Sequence, residues 1–175
     1  MCTFTPDFVR FKMKNQVKIH KLNIQDFNEV DYTLIAIHTT LEDYHLAFLI
    51  NSRLKISLKR DKEEVISYTD FGEAAFSKFS FEDEKHGLLW NLIQNQKWIE
   101  STRQERGAFV FEEPQKHKVF FMPEFKNVDY FLKIEETETD REAVEISTKI
   151  QEIDKVTAAF IIDTERIKSK NNLIF

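Results

Sequence analysis

The feature that most constrains the fold is a series of short apolar segments with period-two alternation between residues 55 and 134. Segments such as 65–69 and 88–93 have the length of β-strands and are too short for most helices. Polar turns such as 82–87 separate them. The parity of the apolar residues slips near Ser77, which predicts a β-bulge. Strands joined by short turns pair antiparallel, so the pattern predicts a largely antiparallel meander sheet.

Two segments on either side of this series have apolar residues at helical spacing. The first predicts a helix at about 40–53, with Leu41, Tyr44, Ala47, Phe48 and Leu54 as its apolar residues. The second predicts a helix at about 140–153, with Ala143, Ile146, Ile150 and Ile153. Each begins with the Thr-x-x-Glu pattern of a capping box, at 39–42 and at 139–142. We therefore expect an α+β fold with both amphipathic helices packed on one face of the sheet.

In residues 31–37 and 156–162, apolar side chains occupy both odd- and even-numbered positions. This pattern predicts strands that are buried on both faces of a sheet. An alternative exists for the first of them. A heptad-like stripe would allow residues 27–53 to form one long helix, through Phe27, Val30, Leu34, Ile37, Leu41, Tyr44 and Phe48. The β-branched residues in this stretch favour the strand, and they are Thr33, Ile35, Ile37 and Thr39.

The composition excludes several classes of function. Three glycines and three prolines in 175 residues leave no material for a glycine-rich phosphate-binding loop. The GxGxxG, Walker A, GxSxG and HExxH patterns are absent from the sequence. The formal net charge of −5 argues against a general nucleic-acid-binding protein, which would carry a basic excess. We therefore expect no cofactor and no nucleic-acid partner.

The sequence predicts a cytoplasmic protein. Its single cysteine, Cys2, permits no intramolecular disulfide, as in reducing compartments. No apolar run approaches the roughly 18 residues of a membrane span, and the N-terminal sequence lacks the apolar core of a signal peptide. We expect residues 14–175 to form a single α+β domain. Residues 1–13 are then an extension that is either disordered or misassigned.

The most specific string in the chain is MPEFKNVDY, from Met122 to Tyr130. It resembles the signature of the IPExxxVDY family, a set of small bacterial proteins, with Met122 in place of isoleucine as the only departure. Residues 34–47 and 168–175 also resemble segments of this family, so the resemblance extends from about Val17 to the last residue. The family name describes the string and implies no reaction.

The motif residues Pro123, Glu124, Asp129 and Tyr130 form the candidate binding surface. Pro123 cannot donate to a strand ladder, so we expect the strand before it to end and the chain to turn. In a structural interpretation, Glu124 accepts bonds from turn amides and Tyr130 packs on the sheet. In a functional one, Glu124 and Asp129 form a carboxylate pair for acid–base chemistry or metal binding. Strand geometry places residues five apart on opposite faces, so a bend would be needed to bring them together.

The apolar residues Leu173, Ile174 and Phe175 follow a basic stretch and form a candidate docking tail. Exposing them to water is unfavourable. We expect the tail either to fold back on its own sheet or to insert into a partner protein.

The histidines give no metal site by their spacing. His38 precedes the first predicted helix, whereas Asp43 and His45 lie within it on differing faces. His86 and His117 fall in predicted turns, where we expect them to be exposed. We therefore predict no bound metal.

These features favour a non-catalytic protein-interaction module. The alternative is an enzyme or small-ligand-binding protein with a Phe-lined pocket and with Glu124 or Asp129 as its polar group. We expect no membrane partner. The identity of a protein partner and the oligomeric state stay open.

Overall fold

The computed structural model describes residues 32–101, 115–135 and 140–175. The first five strands of this part are β1 Tyr32–Thr39, β2 Lys59–Arg60, β3 Val65–Thr69, β4 Gly72–Phe76 and β5 Lys78–Asp83. Five more follow, β6 Leu88–Gln94, β7 Gln96–Ser101, β8 Gln115–Phe120, β9 Tyr130–Glu135 and β10 Val156–Ile161. The helices are α1 Asp43–Leu54 and α2 Asp140–Gln151. The prediction for residues 1–13 lies outside the described residues.

Six strands form one antiparallel sheet in the order β10-β1-β9-β6-β5-β2. The remaining strands form two separate hairpins, β3–β4 and β7–β8. The predicted α+β class and the antiparallel sheet are confirmed. The order differs from a simple meander because β1, the first described strand, lies between β9 and β10.

Residues 32–39 form a strand followed by α1, so the long-helix alternative for this region is wrong. Leu34 and Ala36 pack in one apolar cluster, and Ile35 and Ile37 pack in another on the opposite face of the sheet. All four side chains are fully buried, as their double-sided apolar pattern predicted. Their β-branched neighbours favour the extended backbone, which outweighed the heptad-like stripe.

Strand β10 is different, although its sequence pattern is similar. In the part of the chain that the structure describes, it pairs only with β1 and therefore forms an edge of the described sheet. Its Phe160 and Ile161 side chains are 44% and 39% exposed. The prediction that this strand is buried on both faces was wrong because periodicity cannot distinguish a central strand from an apolar edge strand.

Both helices pack on the same face of the sheet, as predicted. Leu46 and Ile50 of α1 and Ile146 and Ile150 of α2 belong to one apolar cluster with sheet residues such as Leu132. The second helix matches its predicted apolar face closely, because those isoleucines sit at the predicted positions.

The start of α1 differs from the predicted capping box. The N-cap is Glu42, whose side chain makes no capping hydrogen bond, and the helix begins at Asp43. The Thr39 hydroxyl instead donates to the Lys155 carbonyl oxygen at 2.9 Å and accepts from the Leu41 amide at 3.1 Å. Thr39 thus ties the end of β1 to the start of β10. The corresponding box before α2 includes Thr139, which lies outside the described residues.

The apolar face predicted for α1 was also partly wrong. Tyr44 and Phe48, four residues apart, are each 66% exposed. The sheet instead contacts a face rotated from them, with Leu46, Ala47 and Ile50 buried. The buried face is aliphatic, and it joins the core cluster in place of the face that carries the two aromatic residues.

The opposite face of the sheet is covered by the two hairpins and by the segment after β10. Residues of this second cluster include Phe76 of β4, Phe131 of β9 and Leu173. The parity slip near Ser77 marks the point where the chain leaves the β3–β4 hairpin and joins the main sheet, since β4 ends at Phe76 and β5 begins at Lys78. The change in apolar parity therefore reflects the passage of the chain from the β3–β4 hairpin to the main sheet. The predicted β-bulge near Ser77 was wrong, because the residues on either side of Ser77 belong to different strands.

Candidate functional site

The motif turn is organised around Asn95, which is fully buried. Its side-chain amide nitrogen donates to the carbonyl oxygens of Phe125 and Val128 at 2.9 and 2.8 Å. Its side-chain oxygen accepts from the Met122 amide at 2.8 Å. One side chain thus binds three backbone groups of the turn, and for the buried Met122 amide it supplies the hydrogen-bond acceptor. Nothing in the sequence distinguishes Asn95 from Gln94 and Gln96 on either side of it, and it lies far from the motif along the chain, so it could not be predicted.

The turn begins as the sequence predicted. Strand β8 ends at Phe120, and Pro123 opens a short 3₁₀ helix, Pro123–Phe125. Proline suits the first position of a helical turn because the N–H it lacks would have no partner there. The segment then returns to the sheet at Tyr130, the first residue of β9.

Glu124 binds backbone amides of the segment that follows β10. Its Oε1 atom accepts from the Lys168 amide at 3.0 Å, the Ser169 amide at 2.9 Å and the Ser169 hydroxyl at 2.7 Å. Partial burial alone would raise the pKa of Glu124, but these hydrogen bonds outweigh it and hold the pKa below its usual value. Glu124 is therefore an ionised anchor for a distant part of the chain.

Asp129 binds a different part of the structure. Its Oδ2 atom accepts from the Thr39 amide at 3.0 Å and lies 3.7 Å from Nδ1 of His38. Glu124 and Asp129 thus serve separate segments and share no hydrogen-bond partner among the described residues. The motif does not assemble the carboxylate pair that acid–base chemistry would require.

Tyr130 is buried, and its hydroxyl donates to the Leu41 carbonyl oxygen at 2.9 Å. Burial raises the pKa of Tyr130 well above its usual value, and nearby carboxylates add to this effect, those of Asp43, Glu42 and Asp129. The phenol is therefore a neutral donor that fixes the loop between β1 and α1.

An open groove of about 430 Å³ lies where β1 ends and β9 begins. It brings one end of the motif together with residues of β1, β6, β7 and β8 and of the loop after β1. The lining residues are Thr39, Thr40, Leu41, Glu42, Gln94, Gln96, Trp98, Lys118, Asp129 and Tyr130. Trp98 is 63% exposed. Tyr130 and Trp98 are its aromatic residues, and no phenylalanine is among the described residues that line it. The Phe-lined pocket that sequence analysis considered therefore does not describe this groove.

A second concavity, of about 470 Å³, lies between the two helices. Its charged side chains already pair with each other, Arg53 with Glu152 and Lys149 with Glu145. We therefore regard the groove beside the motif as the candidate site.

The tail residues take three different positions. Leu173 is buried in the second cluster, Ile174 is exposed to solvent, and the Phe175 ring lies between two ammonium groups. These belong to Lys78, 4.7 Å from the ring centroid, and Lys133, 5.0 Å away. The tail thus folds back on its own sheet through Leu173 and Phe175.

Lys133 is a second important residue that the sequence did not predict. It is buried on central strand β9, and its ammonium group donates to Glu135 at 2.6 Å and to the Leu173 carbonyl oxygen at 2.8 Å. The Tyr32 ring lies 5.0 Å from the same group. A buried lysine with these partners holds the tail, and no local pattern distinguishes it from a solvent-facing strand lysine.

The histidines do not converge. Within residues 32–101, 115–135 and 140–175, no group of three or more His, Cys, Asp or Glu side chains could hold a metal ion. His86 is exposed and pairs with Asp83 at 2.7 Å, as expected for a turn. His117 lies on strand β8 and not in a turn, and its ring stacks on Phe71 with a centroid distance of 4.0 Å.

The sequence matches no protein-family model and no curated protein, and the chain matches no solved structure. In the part of the chain that the structure describes, neither helix has the length and apolar character needed to cross a membrane.

Proposed function

We propose that this chain is a non-catalytic protein-interaction module that binds its partner in the groove beside the motif. The observation that carries the proposal is the exposed Trp98 indole in a groove whose nearby carboxylate, Asp129, is bound to a backbone amide. An exposed aromatic side chain is typical of a binding anchor. The Thr39 amide holds the Asp129 carboxylate in place, so its charge is positioned for recognition of a cationic group.

The family and the compartment are part of the same proposal. The string from Met122 to Tyr130 supports membership in the IPExxxVDY family of small bacterial proteins. The single cysteine supports a cytoplasmic location.

The partner we propose is an extended, basic segment of another protein. Two carboxylates line the groove, those of Glu42 and Asp129, against one ammonium group, that of Lys118. A lysine or arginine of the partner could stack on Trp98 and lie near these carboxylates. The net charge of −5 would add a favourable long-range field for such a partner.

The chain offers an internal probe for this proposal, because it contains two tryptophans, Trp90 and Trp98. Trp90 is buried and Trp98 is exposed. We expect a basic peptide, such as penta-lysine, to shift the indole N–H resonance of Trp98 saturably in a ¹⁵N-edited NMR titration. The Trp90 resonance should stay in place, and penta-glutamate should have no effect.

A matched pair of variants separates binding in the groove from general attraction to an acidic protein. Glu42→Gln removes one negative charge from the groove, whereas Glu84→Gln removes one from the distant β5–β6 turn. We expect Glu42→Gln to weaken the titration several-fold and Glu84→Gln to leave it nearly unchanged. Equal weakening by both variants, or an unmoved Trp98 resonance, would contradict the proposal.

A further inference from the structure

The two edges of the main sheet are built differently. Strand β2 has only two residues, Lys59 and Arg60, and both are charged and exposed. Short, charged edge strands are a common protection against pairing with another chain. Strand β10, Val156–Ile161, has six residues, none of them charged and none proline. It therefore lacks the protection that the opposite edge carries.

The outward backbone groups of β10 follow from its register with β1. The Ile162 amide donates to the Leu34 carbonyl oxygen at 2.8 Å, so even-numbered residues direct their backbone groups toward β1. Alternation then directs those of Ala159 and Ile161 away from the sheet. The register with β1 shifts between His38 and Thr39, so alternation does not extend to Thr157, but its carbonyl oxygen also points outward, where it accepts from Gln151. Among the described residues, these three form a free ladder edge apart from the contacts described next.

One side chain covers part of this edge. The Gln151 side-chain oxygen accepts from the Ala159 amide at 3.2 Å, and its nitrogen donates to the Thr157 carbonyl oxygen at 3.5 Å. The side-chain amide of Gln151 thus makes the pair of hydrogen bonds that one residue of a neighbouring strand would make. Both bonds are long, so a real strand would replace them with better ones.

We propose that β10 is a self-association edge, on which a second copy of this chain adds its own β10 antiparallel about a two-fold axis at Ala159. In this register Ala159 faces Ala159 of the second copy, and Thr157 faces Ile161. Outward-directed residues then oppose each other, so each such pair can exchange two hydrogen bonds. The two sheets would join into one continuous sheet.

Side chains in this register are complementary in size. Phe160 would lie opposite Ala158 of the second copy, and Ile161 opposite Thr157, so each large side chain meets a smaller one. Phe160 and Ile161 are among the exposed large apolar residues, and they point to opposite faces of the sheet. Pairing would cover both faces of the edge.

Charges at the ends of the strand favour the same partner. Lys155 directly precedes β10 and Asp163 follows it by two residues. The two-fold register brings the end of the strand that carries Lys155 next to the end that carries Asp163 in the other copy, so opposite charges flank the pairing at both ends. The Lys155 backbone is left-handed, with φ 69°, and Asp163 also pairs with Arg166 at 3.0 Å, so the attraction is one between neighbouring charges and not a direct ion pair. Between them the strand is uncharged, so two copies of an acidic protein meet without like charges in contact.

The test is sedimentation equilibrium of the full chain over a range of about 5 to 500 µM, which brackets weak self-association. We expect a reversible monomer–dimer equilibrium. Gln151→Ala removes the competitor for the edge and should lower the dimer dissociation constant by about tenfold. Ile161→Lys adds a charge to the edge and should abolish dimerisation.

The matched control is Tyr68→Lys, which places the same side chain at another exposed strand position, on β3. It should leave the dimer intact. Thermal melting of each variant establishes that it is folded, and Lys155→Glu provides an independent variant that should weaken the dimer through its charge. A wild-type chain and a Gln151→Ala variant that are both monomeric at all concentrations would overturn the proposal, as would equal effects of Ile161→Lys and Tyr68→Lys.

Discussion

Asn95 shows how one buried amide can define a whole turn. Its three side-chain hydrogen bonds hold Met122, Phe125 and Val128, and its own backbone continues the network. The Asn95 amide donates to the Asp129 carbonyl oxygen at 2.9 Å, and the Asn95 carbonyl accepts from the Phe121 amide at 2.8 Å. The geometry of the motif therefore depends on a residue outside the motif.

We predict that Asn95→Ala lowers the free energy of unfolding by about 2 kcal/mol, because it leaves the buried Met122 amide without a partner. The Phe125 and Val128 carbonyl oxygens each keep one bond, from the Val128 amide and from the Gln96 side chain. Urea denaturation measures the change. Asn171→Ala, at an exposed position, is the control and should stay within about 0.5 kcal/mol of the wild type. Equal stability of the two variants would show that the turn does not need the amide.

Tyr130 gives a pH-dependent prediction. Because folding raises the pKa of Tyr130 above the unfolded value of about 10, its contribution is complete below pH 10 and declines as the pH rises toward the folded pKa. We expect Tyr130→Phe to cost about 1 kcal/mol at pH 8 through the lost bond to Leu41. Urea denaturation at pH 8 to 11.5 should show this difference shrinking at high pH.

Tyr130→Ala is the companion variant, and it should cost about 3 kcal/mol or more at pH 8 because it also empties the ring's place in the core. A difference between wild type and Tyr130→Phe that grows above pH 10 would contradict the assignment of a neutral, buried phenol.

At the scale of elements, α1 shows a sharp division between its two sides. Ile50 is fully buried against the sheet, whereas Phe48, two residues earlier, is mostly exposed. We predict that Ile50→Ala lowers the free energy of unfolding by about 2–5 kcal/mol. Phe48→Ala should change it by no more than about 0.5 kcal/mol. Chemical denaturation of both variants tests the assigned face, and the reverse order would support the face that the heptad-like spacing predicted.

Glu124 connects two elements that are far apart in sequence, the 3₁₀ turn and the segment after β10. We predict that Glu124→Ala increases hydrogen exchange at the Lys168 and Ser169 amides while β1 keeps its protection, because only the local anchor is lost. Glu165→Ala, an acidic residue of the same segment, is the control. The pKa of Glu124 is lowered on folding, so its anchoring is present above about pH 4.5 and is lost as the pH falls through the folded pKa. Unchanged exchange at both amides would show that the segment docks without Glu124.

Sequence patterns predicted where strands and helices form better than they predicted which elements become neighbours. Strand β3 and most of β6 lie where the alternation indicated, because period-two burial is a local property. The exposure of β10 and the separation of the two hairpins depend on which strands become neighbours, and this is decided by contacts between distant parts of the chain. The capping box before α1 failed for the same reason, since Thr39 has a distant partner at Lys155.

The candidate site was predicted only in part. The string from Met122 to Tyr130 correctly indicated a turn between two strands. The groove could not be predicted, because Trp98 and Lys118 reach it from the β7–β8 hairpin, whose position no local pattern specifies. Asn95 and Lys133 were missed because their burial depends on the tertiary structure.

At the scale of the whole molecule, the prediction of no metal dependence stands as an expectation from the histidine spacing. Chelation with EDTA should leave the melting temperature unchanged. Elemental analysis of chain purified without added metal should find no stoichiometric zinc or iron. A stoichiometric metal that stabilises the fold would contradict it.

The position of β1 in the sheet has a consequence for how the chain acquires its structure. Its two neighbours are β9 and β10, so Ile37 pairs with Tyr130 on one side and with Ala159 on the other. A ribosome releases the chain from its N-terminal end, and β1 therefore emerges long before either neighbour exists. Its apolar side chains stay exposed for most of synthesis, and the sheet closes only when β10 has left the exit tunnel. Pairings over such sequence separations make folding slow, and a nascent chain of this kind is a natural client for chaperones.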